Sequence, residues 1–431
     1  MKGDQKMKLN YKRTFFIGFA FLSICAFWQL YDSIIPLILK NTFKIGDTVS
    51  GVIMALDNVL ALFMLPLFGA LSDRISTPFG KRMPFIIGGT AAAVIFMILL
   101  PISDNLVRLP MFIVMLLLTL VAMGTYRSPA VALMPDLTPK PLRSKANAII
   151  NLMGAAGGVV TLVLISLLVP KEGKPDYFPI FAIVAALMVA AVIILVFSIK
   201  ENKFIKELED SDYIKPEADQ KLKPGIKLPK EVMKSLLFIL VSIFLWFMGY
   251  NAVTTAFSKY AQDFLGIEGG GFASKILLAT IAAVITYIPA GIIATKIGRK
   301  KTIIAGIIII FVSFALAFTY TTYHPTLNIL LVLIGVGWAS INVNSYPMVV
   351  EMSRGSDIGK YTGYYYTFSM AAQILTPILS GALLEFVGYR TLFPYAAFFM
   401  ALAFCTMLFV KHGDSKPIAP KDKLEMMDTA D

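Results

Sequence analysis

Twelve long apolar stretches, a shortage of charge, and lysine and arginine concentrated in every second connecting segment predict an all-α membrane protein. Its twelve transmembrane helices are expected to form two six-helix bundles. Of 431 residues, 57% are hydrophobic and only 15% are charged, and mean hydropathy is +0.74. A soluble domain carries nearer a quarter charged residues, because its surface must face water. Length alone would suggest two or three soluble domains, but runs of membrane-spanning size override that expectation.

A membrane helix needs about 20 predominantly apolar residues. Runs that meet this lie near 14–39, 48–71, 84–102, 109–134, 146–169 and 178–199. They resume near 233–258, 272–295, 302–321, 327–350, 361–386 and 391–410. The stretch between the two sets, rich in charge and proline and poor in aromatics, reads as a linker containing a short surface helix over KFIKELED. The expected organisation is a bundle over 1–199, a cytoplasmic linker over 200–232, a second bundle over 233–412 and a cytoplasmic tail over 413–431. The basic N-terminal segment imitates a secretory leader. Its apolar run is too long for one and Ser23-Ile24-Cys25-Ala26 is a poor cleavage site, so it reads as an uncleaved first span.

Charge sets the orientation. With the N-terminus inside, the cytoplasmic segments hold 30 lysines and arginines against 8 on the external side, and Arg127 stands within a span. The positive-inside rule then places both termini in the cytoplasm, in a cell membrane. The formal charge of +12 is therefore topological, and no basic face is left for nucleic acid. Cys25 and Cys405 fall in apolar segments, and His324 and His412 at segment ends. Neither a disulfide framework nor a metal site is expected, and no cofactor. No Ser/His/Asp set, phosphate loop or suitably placed carboxylate pair points to an enzyme.

The two halves repeat. The second span ends with Pro66, Gly69, Asp73 and Arg74, followed by Gly80-Lys81-Arg82. The eighth ends with Pro289 and Gly291, followed by Lys296, Gly298 and Arg299. The fourth carries Arg127-Ser-Pro129 and Asp136, and the tenth Ser345-Tyr-Pro347 and Glu351. Matching signals at equivalent helices are what a duplicated bundle produces, and two such bundles can rock about a site at their interface.

The segment from Gly69 through Asp73-Arg74-Ile-Ser-Thr77-Pro-Phe-Gly80-Lys81-Arg82-Met-Pro84-Phe85 resembles the major facilitator signature in its sugar-symporter version. Three extra residues between the Asp-Arg pair and the glycine are typical of plant-type sucrose/proton symporters and of the wider glycoside-pentoside-hexuronide:cation symporters. Pro129 through Asp136, then Arg143 and Asn147, is similar to the fourth-to-fifth helix signature of both groups. Gln262-Asp263-Phe264-Leu-Gly266 with Gly269-Gly270, and Gly335-Val-Gly-Trp338 followed by Asn344-Ser-Tyr346-Pro347, Gly359, Gly363 and Gln373, resemble later segments of the sucrose symporters. The resemblance covers nearly the whole chain outside the linker and implies a major-facilitator-like fold. It also implies a charge relay that stabilises the outward-open state, with Asp73, Arg74, Arg82, Asp136, Arg143 and Glu351 as gating residues.

Inside the membrane, Asp32, Asp57 and Arg127 are the informative residues. A charge there costs several kcal/mol unless it is paired or hydrated, so by default it faces a watery cavity. Sucrose symporters have an arginine where this chain has Val131, and Arg127 lies one turn away on the same face. Melibiose-type relatives have acids where this chain has Ala61 and Leu65, and an acid at Arg127. Their sodium site is therefore expected to be absent and a proton to couple transport. A coupling carboxylate must change protonation as access alternates. Burial raises a carboxyl pKa and a nearby cation lowers it. Asp57 near Arg127 is the first candidate and Asp32 the second.

Sugar recognition needs amides, hydroxyls and flat aromatic faces, since pyranose rings present both OH edges and C–H faces. The substrate-binding candidates are Asn344, Asn251, Gln373, Trp338, Tyr364, Asn151 and Trp28. The expected function is proton-coupled symport of a neutral disaccharide or other glycoside by a monomer in the bilayer. Transport of a hexuronide or other organic anion, export of small apolar compounds, and a non-transporting membrane sensor are the alternatives.

Overall fold

A computed structural model describes residues 9–139, 142–171, 173–209, 229–352 and 358–413; at 144, 145, 208, 209 and 358–360 it describes the backbone alone. Among the described residues there is no strand, and twelve helices are long and apolar enough to cross a membrane. The first half comprises α1 (Tyr11–Asn41), α2 (Asp47–Arg74), α3 (Met83–Asn105), α4 (Leu109–Asp136), α5 (Arg143–Leu168) and α6 (Phe178–Ser198). A short α7 (Glu201–Glu209) follows. The second half comprises α8 (Lys230–Asp263), α9 (Gly271–Ile297), α10 (Arg299–Ala317), α11 (Leu327–Glu351), α12 (Ile358–Phe386) and α13 (Leu392–Leu408), with a 3-10 turn at Tyr389–Thr391 before α13.

These spans match the apolar runs to within a few residues. The largest departure is α8, which continues to Asp263 and so takes Lys259 into the helix. The surface helix expected in the linker is α7. The rest of the linker, 210–228, and the tail from 414 lie outside the described residues.

Helix boundaries follow from backbone chemistry. Asn10 caps α1, its Oδ1 accepting from the Arg13 amide at 3.0 Å. Proline opens α3, α4 and α6, where its missing N–H costs nothing. Pro66, Pro129, Pro289 and Pro347 sit inside α2, α4, α9 and α11. Each removes one rung of the helical ladder, which membrane helices tolerate when neighbours re-satisfy the freed groups.

In the first half α1 packs on α5 and α6, α3 on α4 and α6, and α2 on α4. In the second half α8 packs on α12 and α13, α10 on α11 and α13, and α9 on α11. Across the halves, α2 meets α12, α5 meets α9 and α1 meets α8. Close approach relies on small residues. A Cβ on Gly157 would stand 2.2 Å from the Leu22 carbonyl oxygen, and one on Gly335 would stand 2.1 Å from that of Ala279. The start of α1 and the end of α13 define what we term the near face; Asn41 and Asp263 lie at the opposite, far face. Near-face ties include Lys300 Nζ donating to the Val410 carbonyl at 2.6 Å and Ser235 bonded to His412 at 2.8 Å.

Candidate transport cavity and its charge networks

Between the halves lies a cavity of about 720 Å³. Its walls come from the near-face halves of α2, α4, α11 and α12, with Phe247 from α8. Leu62, Val131 and Tyr366, all in its wall, are exposed, so the cavity opens toward the near face. Its polar groups are Asn58, Arg127, Ser128, Asn342, Thr367, Ser369 and Gln373, set among the rings of Trp338, Tyr365 and Tyr366.

Arg127 is the cation of this wall. Its guanidinium lies 5.4 Å from the centre of the Trp28 ring, a contact that favours a cation over the negative face of an indole. Among the described residues no ion pair within 4 Å includes Arg127, although its charge reaches both Asp32 and Asp57. Asp57 accepts from its neighbour Asn58 Nδ2 at 2.8 Å, and Asn58 in turn lines the cavity. Asp32 lines a second, smaller pocket of about 280 Å³. Thus the three membrane charges picked out from the sequence form one electrostatic group on α1, α2 and α4.

Trp338 stacks flat on Tyr250, with centroids 3.7 Å apart and planes within 3°, and meets Phe247 edge-on at 5.3 Å. Gln373 lines the cavity, and its Nε2 donates to the Ser369 carbonyl at 3.4 Å. Asn344 does not reach the cavity. It is buried, its Nδ2 donates to the Ser340 carbonyl at 2.9 Å, and Asn342 from the same helix lines the wall instead. Tyr364 is likewise outside the wall, which takes Tyr365 and Tyr366. Asn151 lies on α5 and Asn251 on α8, neither of them in the wall. Among the described residues, the Asn251 Nδ2 and the Trp28 Nε1 are buried donors without a hydrogen-bond partner.

The near-face signatures form ion pairs within each half. In the first, Arg82 is buried; it pairs with Asp73 and with Asp136 (2.8 Å) and donates to the hydroxyl of Ser72. Lys81 adds a contact to Asp136 at 3.1 Å. In the second half, Arg299 pairs with Glu351. Arg74 is exposed and stands outside these pairs. Arg143 acts on backbone: it donates to the carbonyl of Pro135 (2.8 Å) in the last turn of α4 and to that of Thr138 (3.2 Å) just past it, as a cation at a helix C-terminus does.

Sequence reasoning missed Glu201. This residue of α7 is fully buried, and its carboxylate accepts from the backbone amides of Lys81, Arg82 and Met83 at 2.9–3.1 Å. It supplies the anion that the start of α3 lacks in its own sequence. The far-face contacts were missed as well, and these join the two halves. Lys259 Nζ lies 2.6 Å from Asp47 Oδ1, with both side chains more than nine-tenths buried. Tyr389 donates to Asp47 Oδ2 at 2.8 Å, and Lys40 pairs with Asp263 and bonds Tyr389. Glu385 accepts from the Thr48 amide at 2.7 Å.

The sequence profile described as the Major Facilitator Superfamily matches residues 17–285 and 272–426. The chain belongs to this superfamily. An uncharacterized MFS-type transporter of Methanocaldococcus jannaschii is 24% identical over 410 residues, covering 93% of this chain and 95% of the relative. The multidrug resistance protein MdtG of Yersinia enterocolitica is 22% identical over 395 residues, covering 89% and 90%. Among solved structures, a point mutant of the nucleoside transporter NupG aligns with a TM-score of 0.68 at 14% identity, covering 93% of this chain and all of that one. The xylose transporter XylE of E. coli aligns at 0.66 and 13%, covering 96% and 98%. These likenesses carry the fold: twelve helices with the architecture of the superfamily. The protein is a multi-pass membrane transporter of a small-molecule substrate.

Proposed function

We propose that the protein is a proton-coupled symporter that carries a neutral sugar, a disaccharide or other glycoside, across the cell membrane by alternating access, as a monomer with the near face cytoplasmic. The observation that supports this reading is the make-up of the cavity wall: side-chain amides from three helices (Asn58, Asn342 and Gln373) converge on a space flanked by Trp338 and Tyr366. Amides meet ring hydroxyls and indole or phenol faces meet ring C–H surfaces. The resemblance of the Asp73–Phe85 loop to sugar symporters points the same way.

In this reading the cavity is the cargo site in a state open to the cytoplasm. Asp57 carries the proton, with Asp32 its second, and Arg127 holds the charge balance of the group as protonation changes. Arg82 with Asp73 and Asp136, and Arg299 with Glu351, fix the shapes of the two rocking halves. A second reading, an acidic sugar or other organic anion as cargo, is favoured by Arg127, which lines the wall with no acid at ion-pairing distance among the described residues.

The test is uptake into oriented proteoliposomes under an inward proton gradient in sodium-free buffer, with sucrose, maltose, glucose and glucuronate as labelled solutes. Uncoupler-sensitive accumulation of a neutral sugar is the expected result. Uptake of glucuronate alone would transfer the cargo role to Arg127. No driven uptake of any of them, by protein shown to be folded, would sink the symport reading and leave export of apolar compounds or a sensor. Asp57→Asn is expected to abolish uphill accumulation while sparing counterflow exchange; unchanged proton-driven uptake would remove Asp57 from the coupling role.

A further inference from the structure

The smaller pocket has no cargo role in the function proposed above, although Asp32 of its wall belongs to the coupling group. It lies on the far-face side of the Tyr250–Trp338 stack, because its α11 residues, Leu331 and Ile334, precede Trp338 by one to two turns toward the far end of that helix. Its α1 residues, Gln29 and Asp32, and its α9 residue Thr280 come from helices that contribute nothing to the larger cavity. The stack is the partition between the two spaces: Trp338 faces the larger and Tyr250 the smaller.

The hydrogen-bonding state of the pocket is one-sided. Thr254 and Thr280 spend their hydroxyl protons on their own helices, on the carbonyls of Asn251 (3.2 Å) and Ile276 (2.9 Å). Gln29 spends an Nε2 proton on Ser33 Oγ at 3.1 Å. Asp32, among the described residues, takes no hydrogen bond or ion pair. What the pocket offers is therefore weighted toward acceptors, a carboxylate, an amide oxygen and hydroxyl lone pairs, with the second Gln29 Nε2 proton and the Tyr250 hydroxyl as its donors, beside the faces of Tyr250 and Phe257. Such a lining takes a neutral group with several O–H donors and an apolar face, and it repels an anion. The larger cavity is the reverse, with Arg127 and amide donors in its wall.

We propose that this pocket is a second sugar subsite. It receives the far ring of a two-ring glycoside when the Tyr250–Trp338 stack parts, while the near ring stays in the larger cavity. The proposal rests on the sugar reading above. It adds that the far ring is neutral and rich in hydroxyls, and that any acidic group on the cargo sits on the Arg127 side.

The test is binding of maltose, sucrose and glucose to the full chain in nanodiscs, read by titration calorimetry, for the wild type and for Thr280→Val, Thr254→Val and Asn342→Ala. The two Thr→Val exchanges keep shape and remove the acceptor. Each is expected to weaken the preferred disaccharide about tenfold, the scale of one lost hydrogen bond in a buried site, and to leave glucose unchanged. Asn342→Ala, in the larger cavity, is expected to weaken both sizes. If sugars bind and the threonine variants melt like the wild type but alter neither sugar, or both sugars equally, the subsite is wrong and the sugar reading stands. If the wild type binds no sugar of either size, the sugar reading fails and takes the subsite with it.

Discussion

The near and far faces of this molecule use ion pairs in opposite ways. At the near face every pair described stays within one half: Arg82 with Asp73 and Asp136, Arg299 with Glu351. At the far face they cross between halves: Asp47 with Lys259 and Lys40 with Asp263, joined through Tyr389. A contact within a rigid half holds a shape and survives rocking, whereas a contact between halves must break when access changes. The near-face pairs therefore bear on whether the halves form, and the far-face pairs on which way the cavity opens.

The largest expected effect belongs to the near face. Removing Arg82 takes away the buried cation that Asp73 and Asp136 share and leaves them only the half-exposed Lys81, at 3.8 and 3.1 Å. Breaking a buried pair by deleting one partner costs roughly 3–5 kcal/mol, discounted here because Asp73 is more than half exposed. Arg82→Ala is expected to lower the melting temperature in detergent markedly and to abolish uptake. Arg74→Ala is expected to melt like the wild type. Equal destabilisation by the two would undo the distinction drawn between these arginines.

At the far face the expectation is a shift in population with the fold intact. Lys259→Met strands the Asp47 carboxylate in the closed far face and penalises that state alone. With Cys25 and Cys405 replaced by serine and a cysteine introduced in the cavity wall at the exposed Thr367, thiol labelling from the near side is expected to slow about tenfold, equivalent to roughly 1.4 kcal/mol. Restoring a neutral pair with Asp47→Asn in the same chain should recover part of the rate. Labelling that is indifferent to Lys259 would mean that glycine packing alone closes this face. That packing has its own test. A Cβ on Gly51 would fall 2.0 Å from the Pro377 carbonyl oxygen, so Gly51→Val wedges α2 from α12. Overpacking costs about 1–3 kcal/mol, and here it should again slow near-side labelling, by a few-fold.

What the sequence makes legible divides along similar lines. The spans are legible because a bilayer demands about 20 apolar residues and the chain has no other way to satisfy its backbone there. Asp32, Asp57 and Arg127 are legible because charge in a span is costly. The rotation of a span about its axis is not. Both sides of α11 are apolar, so nothing in its pattern says that Asn342 and not Asn344 faces the cavity, although two residues on a helix point in nearly opposite directions. Nor can a sequence pair Asp47 with Lys259, 212 residues away, since that contact exists only once the halves dock. Arg74 and Arg82 fall in one motif; Arg82, one residue before α3, is buried and pairs with the two acids, while Arg74, the last residue of α2, is left in solvent.

Glu201 gives the smallest effect and ties the linker to this comparison. The start of α3 reads Gly80-Lys81-Arg82-Met83-Pro84, with no serine, threonine, aspartate or asparagine to accept from its first amides. An acceptor had to come from elsewhere, and that missing cap is the sequence signal for Glu201. Asn202 strengthens the contact by donating to the carbonyls of Thr77 (2.8 Å) and Pro78 (3.0 Å). Glu201→Gln keeps one acceptor oxygen and loses the charge facing the positive end of α3, a loss of about 1 kcal/mol. Because α7 packs on the loop it clamps in the first half, the variant is expected to melt a few degrees lower while near-side labelling at Thr367→Cys stays at the wild-type rate. A change in labelling without a change in melting would mean that the linker helix takes part in the rocking motion, and the near face would then carry a contact of the far-face kind.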